Sequence, residues 1–182
     1  DIIYARFKMT TRVRQLEFRI RSWGGRRRGA GRRPSPGRRF VPHRRRATHD
    51  VRCPVHVTLR ADAGLPSLRE ARVFGAVRRA LAAGSTRDFR LVHWSVQVDH
   101  LHVLVEADER SGLGRGVQGL AIRIARAVNR ELGRRGRVWA DRYHARALRT
   151  PREVRYALVY LLQNWRKHVP GARGLDPRSS AA

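Results

Sequence analysis

Apolar and polar residues begin to alternate regularly at Val55, where Val55, Val57 and Leu59 take one side of a period-two segment and His56, Thr58 and Arg60 the other. This predicts a half-buried first strand. After Gly64-Leu65-Pro66 the interval changes: Leu68, Ala71, Phe74, Val77 and Leu81 recur at helical spacing until Gly84, and Ser67-Leu68-Arg69-Glu70 has the form of a capping box at the helix start. Alternation returns at Val92, Trp94, Val96 and Val98, a second strand that passes through Gln97-Val98-Asp99 as a hairpin into a third. There Leu101, Val103 and Val105 share one face and His100, His102, Leu104 and Glu106 the other. A second helix is expected over Leu113 to Gly133, with Val117, Leu120, Ala121, Ile124, Ala125, Val128 and Leu132 on its apolar side and Arg115, Arg123, Arg126 and Arg130 opposite. Val138 to Leu148 is aromatic and basic and reads as a loop with a fourth strand. A last helix starts at Pro151, with Glu153 in its first turn, and runs to about His168, ahead of Pro170-Gly171. The order β-α-β-β-α-β-α predicts an α+β fold: a ferredoxin-like antiparallel sheet with helices on one face and the other face free to hold a site.

Charge adds a partner to this picture. The 182 residues carry 41 Lys+Arg against 14 Asp+Glu, a net charge of +27, far beyond what solubility asks for, so a polyanion such as nucleic acid is the expected ligand. Lys8 and Lys167 are the only lysines, which makes the charge almost entirely guanidinium, the fork that fits phosphate and guanine edges. A GC-rich genome would favour the same codons. Residues 1–52 hold 17 basic and 3 acidic side chains, so about half the net charge sits on less than a third of the chain. Three regions follow: a basic Arg/Gly-rich arm over 1–50, a folded domain over 51–169 and a flexible tail over 170–182. In the arm, the run from Gly24 to Pro34 cannot bury apolar surface. Arg26, Arg27, Arg28, Arg32 and Arg33 are candidate DNA contacts, and Gly31-Arg32-Arg33-Pro34 loosely resembles the core of an AT-hook. A solvated basic tail that adds only non-specific affinity is the competing reading.

Cys53 is the single cysteine, which excludes disulfides and a Cys-based zinc site within the chain and suits a reducing compartment. No apolar run approaches the ~18 residues of a membrane span, and no secretory signal is visible. Met9 is the only methionine and a candidate start.

Two constellations could carry chemistry. His100 and His102 point the same way from one strand, about 6.5 to 7 Å apart, which lets two ring nitrogens converge on one divalent ion. Against this stands the ordinary reading of two half-exposed strand residues. In the last helix Tyr156, Tyr160 and Asn164 recur every four residues and share a face. A phenol near a cation-bound phosphate can act as a nucleophile, and an amide one turn on could supply a carbonyl oxygen to the metal. The alternative is an amphipathic stripe of core or interface tyrosines. His56 lies on the polar face of the first strand, and His56-Val57-Thr58 is half of the two-histidine phosphoesterase pattern, whose second half is missing.

Asp99-His100-Leu101-His102-Val103-Leu104-Val105, Asn129-Arg130-Glu131-Leu132-Gly133, the run from Gly136 to His144, and Tyr160-Leu161-Leu162-Gln163-Asn164, in that order, resemble the REP-associated tyrosine transposases. These belong to the IS200-like, single-tyrosine branch of the HUH endonucleases. The likeness spans about residues 50 to 168 and includes the Arg/Gly-rich leader. It implies a ferredoxin-like fold that binds Mg²⁺ or Mn²⁺ through His100 and His102, with Asn164 near the metal. Tyr160 is implied to attack a DNA phosphate, giving a 5′-phosphotyrosine and a 3′-hydroxyl, on single-stranded hairpins of palindromic repeats. A bacterial cytoplasmic, nucleoid-associated location goes with that role. Many relatives carry Asn-Pro-Val after the tyrosine's turn, whereas Trp165-Arg166-Lys167 follows Asn164 here. The helix can therefore continue, and Gln163 rivals Asn164 as third ligand. Arg142 and His144 are weaker candidates for DNA contact, since a Trp139-Tyr143 cluster explains that segment nearly as well. The competing function is a non-catalytic nucleic-acid-binding module on the same fold. Oligomeric state is not legible.

Overall fold

A computed structural model of the chain describes residues 48–109, 112–167, 171 and 173–181. Within them β1 (Val55–Arg60), α1 (Ala71–Ala82), β2 (Phe89–Val96), β3 (His100–Ala107), α2 (Gly112–Glu131), β4 (His144–Ala147) and α3 (Pro151–Gln163) follow in order, and α3 tightens into a 3₁₀ turn over Asn164–Lys167. The four strands form one antiparallel sheet in the order β2-β3-β1-β4. This is the ferredoxin-like arrangement the element order predicts.

The alternation within β1 and β3 decides the layers. Val55, Val57, Leu59, Leu101, Val103 and Val105 are all but inaccessible and form one core with Val73, Val77 and Leu81 of α1 and Val117, Leu120, Ile124 and Val128 of α2. Gly116 lets α2 settle onto the start of β2, since a Cβ there would fall 2.1 Å from the ring of Phe89. These two helices occupy one face, as expected. The other face is not open: α3 lies over it, and Ala157 and Leu161 pack with Leu104 and Leu148 in a smaller second cluster. A helix that buries only two side chains fully has a narrow apolar stripe, and its remaining surface is available to polar groups.

Two local expectations are corrected. Ser67-Leu68-Arg69-Glu70 is a turn rather than a capping box: the helix starts at Ala71 without a side-chain cap, because Leu68 is drawn into the core with its N–H donating to Val98 O. The capping box forms instead at α3, where Thr150 and Glu153 satisfy each other's backbone N–H groups ahead of the helix that Pro151 begins. Strand β2 does not alternate through Val92 and Val98. An irregularity between Leu91 and His93 leaves Val92 exposed, so that Phe89, Leu91, Trp94 and Val96 all reach the α1/α2 core.

The ends of the folded region also differ from expectation. His49 is buried, with Nε2 3.2 Å from Ala107 O, so the domain includes residues placed by composition at the end of the arm. Of the stretch read as a flexible tail, residues 174–181 form a strap whose Arg178 to Ser180 pair with the end of β2. Val96 N–H donates to Arg178 O and Ser180 N–H to Trp94 O, both at 2.9 Å. Asp176 fixes this strap from within. Fully buried, it accepts both guanidinium nitrogens of Arg69 at 2.9 Å, Ser95 Oγ at 3.2 Å, Gln97 Nε2 at 3.1 Å and the backbone N–H of Arg178 at 2.8 Å. Its own N–H donates to Leu162 O at the end of α3, and Arg166 Nε donates to Gly174 O, each at 2.9 Å. Composition marks this segment as polar and therefore mobile, but a polar segment with every partner present orders itself without an apolar core.

Candidate active site

Strand β3 supplies the two histidines that the alternation places on one face. His102 is 4% exposed and His100 half-buried, and their rings stand edge to face with centroids 4.7 Å apart. Each has its Nδ1 engaged. His100 Nδ1 lies 2.6 Å from Asp99 Oδ1, which holds the Asp99 carboxyl below the usual carboxylate range, mainly through that hydrogen bond. His102 Nδ1 lies 3.1 Å from Thr58 Oγ1 and 3.2 Å from His56 Nε2. Antiparallel pairing puts Thr58 directly opposite His102 and His56 opposite Leu104, so the polar face of β1 meets the polar face of β3.

Helix α3 brings the phenol. The centroid of the Tyr160 ring is 5.1 Å from that of His102 and 6.0 Å from that of His56, and the residue remains 38% exposed. Tyr156, one turn earlier, is 64% exposed and touches none of these rings. Asn164, one turn later, is 4% exposed at the point where α3 gives way to the 3₁₀ turn. Gln163 is half-buried, with its Oε1 accepting from Arg166 Nη1 at 3.4 Å. The four-residue spacing therefore runs from solvent at Tyr156 into the protein at Asn164.

The floor extends onto β4. His144 pairs with Thr58 and Arg146 with His56, and His144 is exposed on the histidine side of the sheet. Burial first, then the charges of His144 and Arg146, pushes the His56 pKa down. Arg146 is also paired with Glu153 at 3.0 Å. Arg142 precedes β4, with its backbone N–H donating to Asp141 Oδ1. Arg26, Arg27, Arg28, Arg32 and Arg33 lie outside the described residues.

Among the described residues no three His, Cys, Asp or Glu side chains are grouped so as to hold a metal by themselves. The donor chemistry nevertheless fits a cation that shares its shell with a ligand or water. An imidazole whose Nδ1 carries the proton coordinates through Nε2, and Nδ1 of both His100 and His102 stands within hydrogen-bond distance of a protein group, while a buried carboxamide stands one turn beyond the phenol. Thr58, His56 and Asp176 are the residues whose part in the architecture the sequence conceals. The first two carry a trace of it, since period two puts them on the polar face of β1.

Residues 76–160 match the sequence model of a family described as "Transposase IS200 like". Among solved structures, the chain is similar in fold to a REP-associated tyrosine transposase bound to a REP hairpin. The TM-score is 0.57 at 17% identity, covering 70% of this chain and 74% of that one. It is also similar to a provisionally named transposase of Deinococcus radiodurans R1, with a TM-score of 0.46 at 18% identity, covering 66% of this chain and 97% of that one. Sequence comparison with curated proteins finds no match. Among the described residues no helix is long and apolar enough to cross a membrane.

Proposed function

We propose that the chain carries an IS200-like transposase domain, the family whose sequence model matches residues 76–160, and that it cleaves and joins single-stranded hairpin DNA through a phosphotyrosine intermediate. The observation that carries this reading is the placement of the Tyr160 ring against His102 and His56 in a residue that stays partly exposed. Tyr160 is the nucleophile: its phenolic oxygen bonds to the phosphorus, the bond to the 3′-oxygen breaks, and the DNA is left with a 5′-phosphotyrosine and a 3′-hydroxyl once that oxygen takes up a proton. Reversal with another 3′-hydroxyl joins strands. His100, His102 and Asn164 would hold Mg²⁺ or Mn²⁺, and such a cation would neutralise the phosphate and favour the phenolate. Asn164 is favoured over Gln163 because it is the more deeply buried of the two amides and Gln163 is engaged by Arg166.

Around this centre the protein supplies a phosphate-binding surface. His144, Arg142 and the arginines of the arm, Arg26 to Arg28, Arg32 and Arg33, contact the DNA backbone, in keeping with a net charge of +27. The hairpin held by the similarly folded REP transposase is the substrate class to try first.

Incubation with end-labelled hairpin DNA and Mn²⁺ is expected to give a denaturant-resistant protein–DNA band that Tyr160→Phe abolishes while hairpin affinity is kept. Absence of the band from the unaltered protein, with binding intact, would identify a non-catalytic nucleic-acid-binding module. A band that survives Tyr160→Phe would move the nucleophile elsewhere. Affinity should fall with salt at a log-log slope of about −0.7 per single-strand phosphate neutralised.

A further inference from the structure

Phosphotyrosine formation as proposed gives the His56-x-Thr58 pair no chemical role, yet both side chains converge on a single atom. Thr58 Oγ1 and His56 Nε2 lie 3.1 and 3.2 Å from the same nitrogen of His102, Nδ1. Both come from the polar face of β1, whose register against β3 puts Thr58 directly across from His102. We propose that His56 and Thr58 are positioning residues that take the Nδ1 proton of His102 and so present its Nε2 lone pair to the divalent cation. This rests on the metal role given to His102 above.

The argument is one of proton accounting. A neutral imidazole has one N–H and one lone pair, and whichever nitrogen coordinates a cation must be the one without the proton. With the Nδ1 proton directed at the Thr58 oxygen and the His56 nitrogen, Nε2 is the coordinating atom. A threonine hydroxyl accepts such a proton while turning its own elsewhere, and His56 Nε2 accepts it when the His56 proton sits on Nδ1. The reverse arrangement, with either group donating to His102 Nδ1, would leave the proton on Nε2 and close that atom to a metal.

His100 obtains the same result by a different route. Its Nδ1 faces the Asp99 carboxylate at 2.6 Å, and an ionised carboxylate only accepts. The two histidines of the His-x-His stretch are thus oriented by unlike partners: one by a fixed acceptor from the adjacent residue, the other by a hydroxyl and an imidazole, each able to donate or accept. The His56-x-Thr58 pattern is then accounted for without the second catalytic motif that a two-histidine phosphoesterase would need.

The test measures Mn²⁺ affinity of the full chain without DNA, by electron paramagnetic resonance titration, for His56→Phe, Thr58→Val, Thr58→Ser, the His56→Phe/Thr58→Val double variant and His102→Ala. The expected result is a 10- to 100-fold weaker affinity in the double variant, in line with the usual effect of removing a ligand's orienting partner, with recovery to within about threefold in Thr58→Ser, which keeps the hydroxyl. His102→Ala should weaken binding further. Unchanged affinity in the double variant, with His102→Ala still impaired, would overturn the positioning role and leave the metal reading standing. Unchanged affinity in His102→Ala would instead remove the metal reading itself. His56→Phe alone matching His102→Ala would make His56 a ligand rather than a positioning residue. Because a variant could fail to fold, the unaltered protein provides a second measurement. Nitrogen-15 spectra of its histidines with Mg²⁺ should show His102 protonated at Nδ1, and protonation at Nε2 in the loaded protein would overturn the proposal.

Discussion

The two faces of the sheet are built on opposite terms. Against α1 and α2 strands β1 and β3 present valine and leucine at every second position, and the space is closed by aliphatic side chains together with the rings of Phe74 and Phe89. Against α3 the same strands present His56, Thr58, His100 and His102, and only Leu104, with Leu148, Ala157 and Leu161, gives the helix an apolar footing. The first face supplies the stability that lets the second gather three imidazoles and a phenol, an arrangement that contributes little to holding the chain together. The division also places the candidate chemistry on a rigid support, since Leu101 and Val103, which flank His102 in the sequence, are locked in the opposite core.

This contrast can be broken most directly by two substitutions one residue apart on β3. Leu101→Ala removes a fully buried side chain from the dry face and is expected to cost about 2 to 5 kcal/mol in denaturant unfolding. His100→Ala, on the other face, should cost under about 1 kcal/mol while weakening Mn²⁺ binding and the DNA adduct. Equal destabilisation by the two would mean that the faces do not divide the work in this way.

The glycines of α2 sharpen the same point within one helix. Gly116→Ala pushes a methyl into the ring of Phe89 and is expected to destabilise by about 1 to 3 kcal/mol despite the better helix propensity of alanine. Gly119→Ala meets nothing within 4 Å and should stabilise by about 0.5 to 1 kcal/mol. Melting temperatures moving in the same direction for both would place α2 differently on β2.

The smallest effect concerns pH. Burial holds His56 below the ordinary imidazole value, so between its folded pKa and about 6.5 the unfolded chain binds more protons than the folded one. Stability therefore rises with pH across that window and is lost on acidification through it. His56→Phe should flatten the dependence of the urea midpoint between pH 5 and 7, measured with chelator present. An unchanged slope would show that His56 is not the group responsible.

How much of this was legible in the sequence follows from the same physics. Period-two and helical spacing reveal a face that is apolar throughout, and so Val55, Val57, Leu101, Val103 and Val105 announced the strands and the α1/α2 core correctly. The resemblance implied that His100, His102 and Tyr160 would meet, and their rings do lie together. What the pattern could not show is a partnership between polar residues distant in sequence. Thr58 meets His102 only through strand register, and Asp176 is buried only because Arg69, Ser95 and Gln97 surround it. The irregularity at Leu91 and His93 and the cap at Thr150 rather than Ser67 were missed for a related reason: Leu68 is claimed by the core, and tertiary burial outweighs a local capping preference.

The strap over residues 174–181 has one more consequence. An outermost strand normally displays a row of amides and carbonyls ready to zip onto any extended peptide, and on the β2 side the strap takes up that row at Trp94 and Val96. The opposite margin is β4, four residues long and carrying His144 and Arg146. Trimming the last dozen residues to tidy a recombinant protein would reopen the longer margin and invite the molecules to stick to one another.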